Sequence, residues 1–210
     1  MKKLIINLLI ILFLTSCATK KLTLEKKVDL KKELEEMVTT DQVAASRWED
    51  KWAVYKDSVF TNHKMRVENM FKDYGFLGFD KVGEDGSNNF WLIIQHCDKF
   101  PEFQMEILEA MEKEVKNKNA DPNNYAYLYD RVLVNAGQKQ KFGTQIDYDV
   151  ETTGRAFPKF GLIDSTNVDK IREEYSLGPL KDYLNLMTTM HYEMNKERYE
   201  KMGIKEPNLY

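Results

Sequence analysis

The stretch Gln95-His96-Cys97-Asp98 closes an apolar run with the residue type best suited to moving protons near neutral pH. A histidine held by a carboxylate is how a general base is built, since an imidazole works best when its protonation lies close to the operating pH. Asp98, two residues on, and Asp130, in Tyr129-Asp130-Arg131-Val132, are the carboxylates in view. His96, Asp98 and Asp130 are therefore the candidate catalytic set. Arg131 offers a two-pronged donor for a carboxylate or phosphate. On a helix it points about 100° away from Asp130, so each of the two needs its own partner. Gln138 and Gln145 flank a Gly-Thr turn whose amides could cradle a polar ligand, and Gln42 with Arg47 joins them as candidate ligand-binding residues. Each has a structural alternative: a core or capping histidine, an arginine tying the Asp41 helix to the core, amides bonding their own backbone. Buried without partners, such groups would cost on the order of 1–3 kcal/mol each.

Other chemistries lack their residues. His63, His96 and His191 are scattered, no His-Glu-x-x-His is present, and no phosphate-loop spacing occurs, so neither a metal nor a cofactor is expected. No Gly-x-Ser-x-Gly elbow exists. Cys97 adjoins His96, but neighbours on a helix point apart, which argues against a thiol nucleophile.

Four polar stretches occur in fixed order: Asp41-Gln42 with Arg47, then the Gln95 to Asp98 segment, then Tyr129 to Val132, then Gln140 to Gln145. Through WLIIQHCD, YLYDRV and GQKQKFGTQ the chain resembles a bacterial family known only as a domain of unknown function, found largely in secreted and lipoprotein-type sequences. The similarity runs from about Asp41 to Leu184 and carries no established activity. Gly75-Phe76-Leu77 stands where a Gly-Trp-Pro-like turn is expected, so that loop should close differently.

The N-terminus supplies an address. Met1-Lys2-Lys3 is basic, Leu4 to Leu14 is apolar apart from Asn7, and Leu14-Thr15-Ser16-Cys17 resembles the lipobox of bacterial lipoproteins. The apolar run is short of the roughly 20 residues that span a bilayer. Residues 1–16 are thus expected to be a signal peptide, Cys17 the lipidated residue, and 17–27 a tether. The domain would then sit in the cell envelope, tethered to a bacterial membrane and facing away from the cytoplasm. The remaining 194 residues (210 less 16) would carry a net charge of −5, two below the −3 of the whole chain once Lys2 and Lys3 are gone. That leaves no basic surplus for nucleic acid. Cys97 would be the only thiol left, so no internal disulfide can form and the core must hold the fold.

Leu30, Leu34, Met37 and Val38 repeat at helical spacing, and a second stripe runs through Trp48, Trp52, Tyr55 and Val59 as one long helix or two. Helices are also expected up to Gly75, from Asn88 through Cys97, after Pro101, after Asp121-Pro122, over about 166–175 and after Pro179. Phe76 to Ser87 is expected to be a loop. Lys139 to Leu162 reads as an irregular excursion with β-prone pieces near 142–146 and 157–163, and 201–210 as a loose tail. The expected architecture is mainly α, with one helical domain over 28–200. The Trp, Phe and Met stripes belong to its core.

Three readings of function follow. The first is a lipid-anchored domain binding a small polar or acidic ligand, or an envelope partner. The second is an envelope hydrolase with His96 as general base, and the third an interaction lipoprotein without a small-molecule site.

Overall fold

The computed structural model describes residues 20–47 and 49–210. Cys17 and Trp48 lie outside the described residues. The mainly α expectation holds: the described residues form eight α-helices and one two-stranded antiparallel sheet.

Helix α1 (Leu24–Ala45) starts where Thr23 Oγ1 accepts the Lys26 N–H at 3.2 Å, and its stripe buries Leu30, Leu34, Met37, Asp41 and Ala44. A 3-10 turn at Asp50–Trp52 separates it from α2 (Ala53–Tyr74); of the second stripe only Tyr55 and Val59 lie on α2, while Trp52 ends the turn. Helix α2 stops at Gly75, whose φ of 70° glycine adopts without strain. Helices α3 (Phe79–Gln95), α4 (Pro101–Lys116) and α5 (Pro122–Asn135) follow, the last capped by Asp121, which accepts the Asn123 N–H at 2.8 Å. Leu34, Met37, Val67, Phe90, Ile94, Ile107 and Leu128 from these five helices meet in the main core. Burying each such side chain contributes roughly 1.5–3 kcal/mol.

The segment expected to be a loop at 76–87 is largely helical. Helix α3 makes one turn from Phe79, breaks at Gly83 (φ 72°), and continues through Asn88, which therefore is not its cap. The cap comes from elsewhere: the Asn119 carbonyl accepts the Phe79 N–H and the Asn119 side chain accepts the Asp80 N–H at 2.8 Å. A residue 39 positions away supplies what local sequence reading looks for at the helix start.

Strands β1 (Ile146–Tyr148) and β2 (Ala156–Pro158) pair with Asp147 opposite Phe157. Helices α6 (Val168–Glu174), α7 (Leu180–Met194) and α8 (Lys196–Lys201) complete the chain. Ala156, Val168, Leu180 and Leu184 form a second, smaller core. His191 belongs to that end, stacked on Tyr148 with centroids 3.8 Å apart and 3.2 Å from the Tyr199 hydroxyl. The chain end is fastened there too: Tyr210 donates its hydroxyl to the Ala156 carbonyl at 2.7 Å, and the Arg155 guanidinium bonds Asn208 and Leu209. It was expected to be loose because its partners are contributed by β2 and its approach, not by its own sequence.

Lys141 lies over three rings, with its ammonium 5.6, 5.0 and 5.2 Å from the centroids of Tyr129, Phe142 and Tyr175. Lys141→Met, which keeps the stem and removes the charge, is expected to lower stability by about 1 kcal/mol. That corresponds to a melting temperature roughly 2–4 °C lower by differential scanning calorimetry. An unchanged transition would show that the rings hold the stem alone.

Candidate functional site

Asp41 occupies the last turns of α1 on the same buried stripe as Leu30, Leu34 and Met37, and its side chain is fully buried. Two imidazoles face it. His96, the residue that ends α3, places Nδ1 2.5 Å from Asp41 Oδ2, and His63 of α2 places Nδ1 3.4 Å from Oδ1. The exposed Gln42 adds its amide at 3.3 Å. Burial pushes the Asp41 carboxyl up, but the hydrogen bonds and charges of His63 and His96 outweigh it, and its pKa lies below the ordinary value. A carboxylate only accepts, so both Nδ1 atoms carry hydrogen and the neutral His96 ring presents a lone pair at Nε2. That nitrogen makes no hydrogen bond among the described residues.

His96 stands in the wall of a cleft of about 650 Å³, lined also by Arg47, Phe60, Thr61, Phe100 and Arg131. Phe60 packs on the imidazole with centroids 5.0 Å apart, which fixes the ring from the cleft side. Arg47 lies with its guanidinium 4.7 Å from the Trp52 ring.

Asp98 also lines the cleft, but it does not orient His96 as expected. Arg131 grips both its oxygens, Nε to Oδ1 at 2.8 Å and Nη2 to Oδ2 at 2.6 Å, while Asn135 adds a bond of 2.8 Å. Burial pushes the Asp98 carboxyl up, and Arg131 with Asn135 and Gln104 pulls it below the usual range. Arg131 is correspondingly tied to Asp98 rather than to the Asp41 helix, and only its Nη1 makes no hydrogen bond among the described residues.

Asp130 is not at the cleft. It is fully buried and accepts the backbone N–H groups of Lys141, Phe142 and Thr144 at 2.8–3.2 Å, together with the Thr144 hydroxyl at 3.0 Å. Burial pushes its carboxyl up, with those donors acting in the opposite sense. The Gly143-Thr144 turn needs this anion: three amides converge where Gly143 adopts a φ of 71°. Gln140 fastens the same loop, donating to the carbonyls of Gln145 and Lys159 at 2.6 and 2.7 Å and accepting from Gln145 N–H at 2.8 Å. Gln145 turns its amide to the Thr144 hydroxyl and the Tyr127 carbonyl, and Gln138 is exposed outside the cleft. The amide-rich turn is thus a clamp on its own backbone rather than a ligand cradle.

Of the eight sequence-derived candidates, His96, Asp98, Arg131 and Arg47 share the cleft; Asp130, Gln138, Gln145 and Gln42 do not line it. Sequence reading missed Asp41 as the partner of His96 and His63 as the second partner of Asp41. The signal was there: Asp41 continues the stripe of Leu30, Leu34 and Met37, and His63 precedes Val67 and Met70 by four and seven residues on one buried face. Cys97 is buried and burial pushes its thiol up to about 12, so it is inert. No group of three or more His, Cys, Asp or Glu among the described residues is placed to hold a metal. No helix among them is long and apolar enough to cross a membrane.

Fold and cleft together define a helical domain in which a buried carboxylate grips an imidazole at a solvent-facing wall. The chain belongs to a family of unknown function (DUF6624), which matches residues 28–195 and so extends beyond the 41–184 of the motif resemblance on both sides. It matches no curated protein and no solved structure.

Proposed function

We propose that the cleft is the active site of an envelope hydrolase in which His96 is the general base. The observation that carries this is the 2.5 Å contact from His96 Nδ1 to a fully buried Asp41, with His96 itself in the wall of the cleft. In this reading Nε2 takes a proton from a water molecule as its oxygen attacks the substrate, Asp41 stabilises the imidazolium that forms, and the imidazolium returns the proton to the leaving alcohol or amine as its bond to the acyl carbon breaks. The Nη1 of Arg131, on the same cleft, meets negative charge developing on the substrate. Phe60 and Phe100 give the substrate an apolar wall, which suits a small polar ester or amide. The address rests on the lipobox-like Leu14-Thr15-Ser16-Cys17: the domain is tethered through an acyl chain on Cys17, facing away from the cytoplasm.

The competing reading is a domain that binds a small acidic ligand without turning it over, supported by Arg47 and Arg131 on the same wall. Incubating the full chain with panels of esters, amides and phosphoesters, followed by mass spectrometry, separates the two. Hydrolysis that falls about 10²–10⁴-fold in His96→Gln, with an unchanged circular dichroism spectrum, is the expected result. Full activity in that variant would sink the catalytic reading, and a retained but unaltered compound would establish the binding one.

A further inference from the structure

His63 is an expensive residue to keep where it is. It is 4 % exposed, on the α2 face that buries Val67 and Met70, and its only hydrogen bond among the described residues is to Asp41 Oδ1. Burying an imidazole there costs free energy that an aliphatic side chain of similar size would not. What an aliphatic chain lacks is an N–H aimed at the second oxygen of Asp41. With only His96 and the Gln42 amide, both on Oδ2, the carboxylate could turn about its Cβ–Cγ bond. With His63 on Oδ1 the plane of the carboxylate is pinned from both sides, and Oδ2 stays aimed at His96.

We infer that His63 is a positioning residue for the cleft base: by holding Asp41 Oδ1 it keeps His96 in the Nδ1–H tautomer with its lone pair on Nε2. The inference rests on the catalytic reading of His96 for its functional meaning, but its geometry stands independently. No charged side chain intrudes on the arrangement from α2: the neighbouring Lys64 is paired with Glu68 at 3.0 Å. From the α3–α4 junction, the acidic Asp98 is neutralised by Arg131. Nothing else on these elements competes with His63 for Oδ1.

The test uses the full chain with ring-¹⁵N-labelled histidine. The sequence holds three histidines, so His→Gln variants assign every ring. Long-range ¹H–¹⁵N correlation spectra are recorded well above the ordinary imidazole range, where the rings are neutral. His96 is expected as a single Nδ1–H tautomer in the native chain and in His63→Asn, whose amide nitrogen is bonded to Cγ as Nδ1 is and still donates to Asp41. In His63→Leu it becomes a mixture of tautomers. If His63→Leu does not fold, His63→Met takes its place, since it fills a similar volume and carries no N–H for the carboxylate. An unchanged His96 signature in either of these variants overturns the inference and leaves His63 a packing residue. Where a substrate has been found, His63→Leu should lower kcat by about a hundredfold with KM little changed, as misplacement of a reacting group does. A tautomer that depends on His63 in a protein that hydrolyses nothing would keep the inference and remove the hydrolase reading, so the two fail separately.

Discussion

Replacing Asp130 with alanine will destabilise the domain by about 3–5 kcal/mol, and the melting temperature will fall by roughly 6–20 °C. The substitution strands the amides of Lys141, Phe142 and Thr144 and the Thr144 hydroxyl, all of which point at one fully buried carboxylate. Each buried donor left unpaired costs about 1–3 kcal/mol, less whatever the loop recovers by moving toward water. The loop cannot move freely. Arg172, 2 % exposed, donates to the Phe142 carbonyl at 2.7 Å, and Tyr183 donates to the Thr144 carbonyl at 2.8 Å. An anion therefore takes the amides of this turn while a cation takes one of its carbonyls. Burial lowers the pKa of Arg172, and the charge of Asp130 is among those that oppose this, so losing Asp130 also weakens the hold on a buried guanidinium. Asp130→Asn keeps one acceptor but aims an NH₂ at the turn's own donors, and should cost nearly as much. Urea denaturation at neutral pH measures both. A loss below about 1 kcal/mol would mean that Gln140 and Arg172 hold the loop by themselves.

The same residue shows where sequence reading reached its limit. Asp130-Arg131 announced two groups that point apart on a helix, and they do: Asp130 turns to the 141–144 loop and Arg131 to Asp98. Which way each turns was not legible, because the partners lie 11 and 33 positions away and the path between them is set by tertiary packing. Helix existence was legible wherever an apolar stripe and a terminal signal agreed, as at Pro101 and Asp121-Pro122. It failed at Phe79 because Asn119 provides the missing cap from another part of the chain. The site was half legible for a related reason. His96 and Asp98 are conspicuous as polar residues next to an apolar run, and the sequence offers Asp98 or Asp130 as the orienting carboxylate. The actual one is 55 positions away, on a helix whose buried stripe contains a charge. A carboxylate at a core register position requires a partner, and asking which basic residues share that requirement would have led to His63 as well.

If the proposed hydrolase reading holds, Asp41→Asn is expected to cost catalysis about 10²–10⁴-fold, and in any case to change how the protein responds to acid. The native carboxylate accepts from two imidazole N–H groups, one on each oxygen. A carboxamide offers one oxygen and one NH₂, so one ring must either reverse its tautomer or lose its bond. If His96 reverses, Nε2 carries the hydrogen and cannot receive a proton from water; if His63 does, the carboxamide loses its second anchor. The pH effect follows from the native Asp41 pKa lying below its ordinary value, because the two imidazoles outweigh burial. As pH falls, the unfolded chain protonates this carboxyl first, near the usual value of about 3.9. The stability that Asp41 contributes is thus fully present above that pH and is lost as pH falls on through the lower folded value. Asp98, held low by Arg131, loses its contribution in the same direction, so the native protein should weaken steeply in acid. The Asp41→Asn variant starts less stable and should show a shallower decline below about pH 4, retaining the contributions of Asp98 and of the other carboxyls held low, Glu68, Glu112, Asp149 and Asp164. Parallel declines in the two proteins would mean that the buried carboxylate is indifferent to its imidazoles, and a general base at His96 would then have no support behind it.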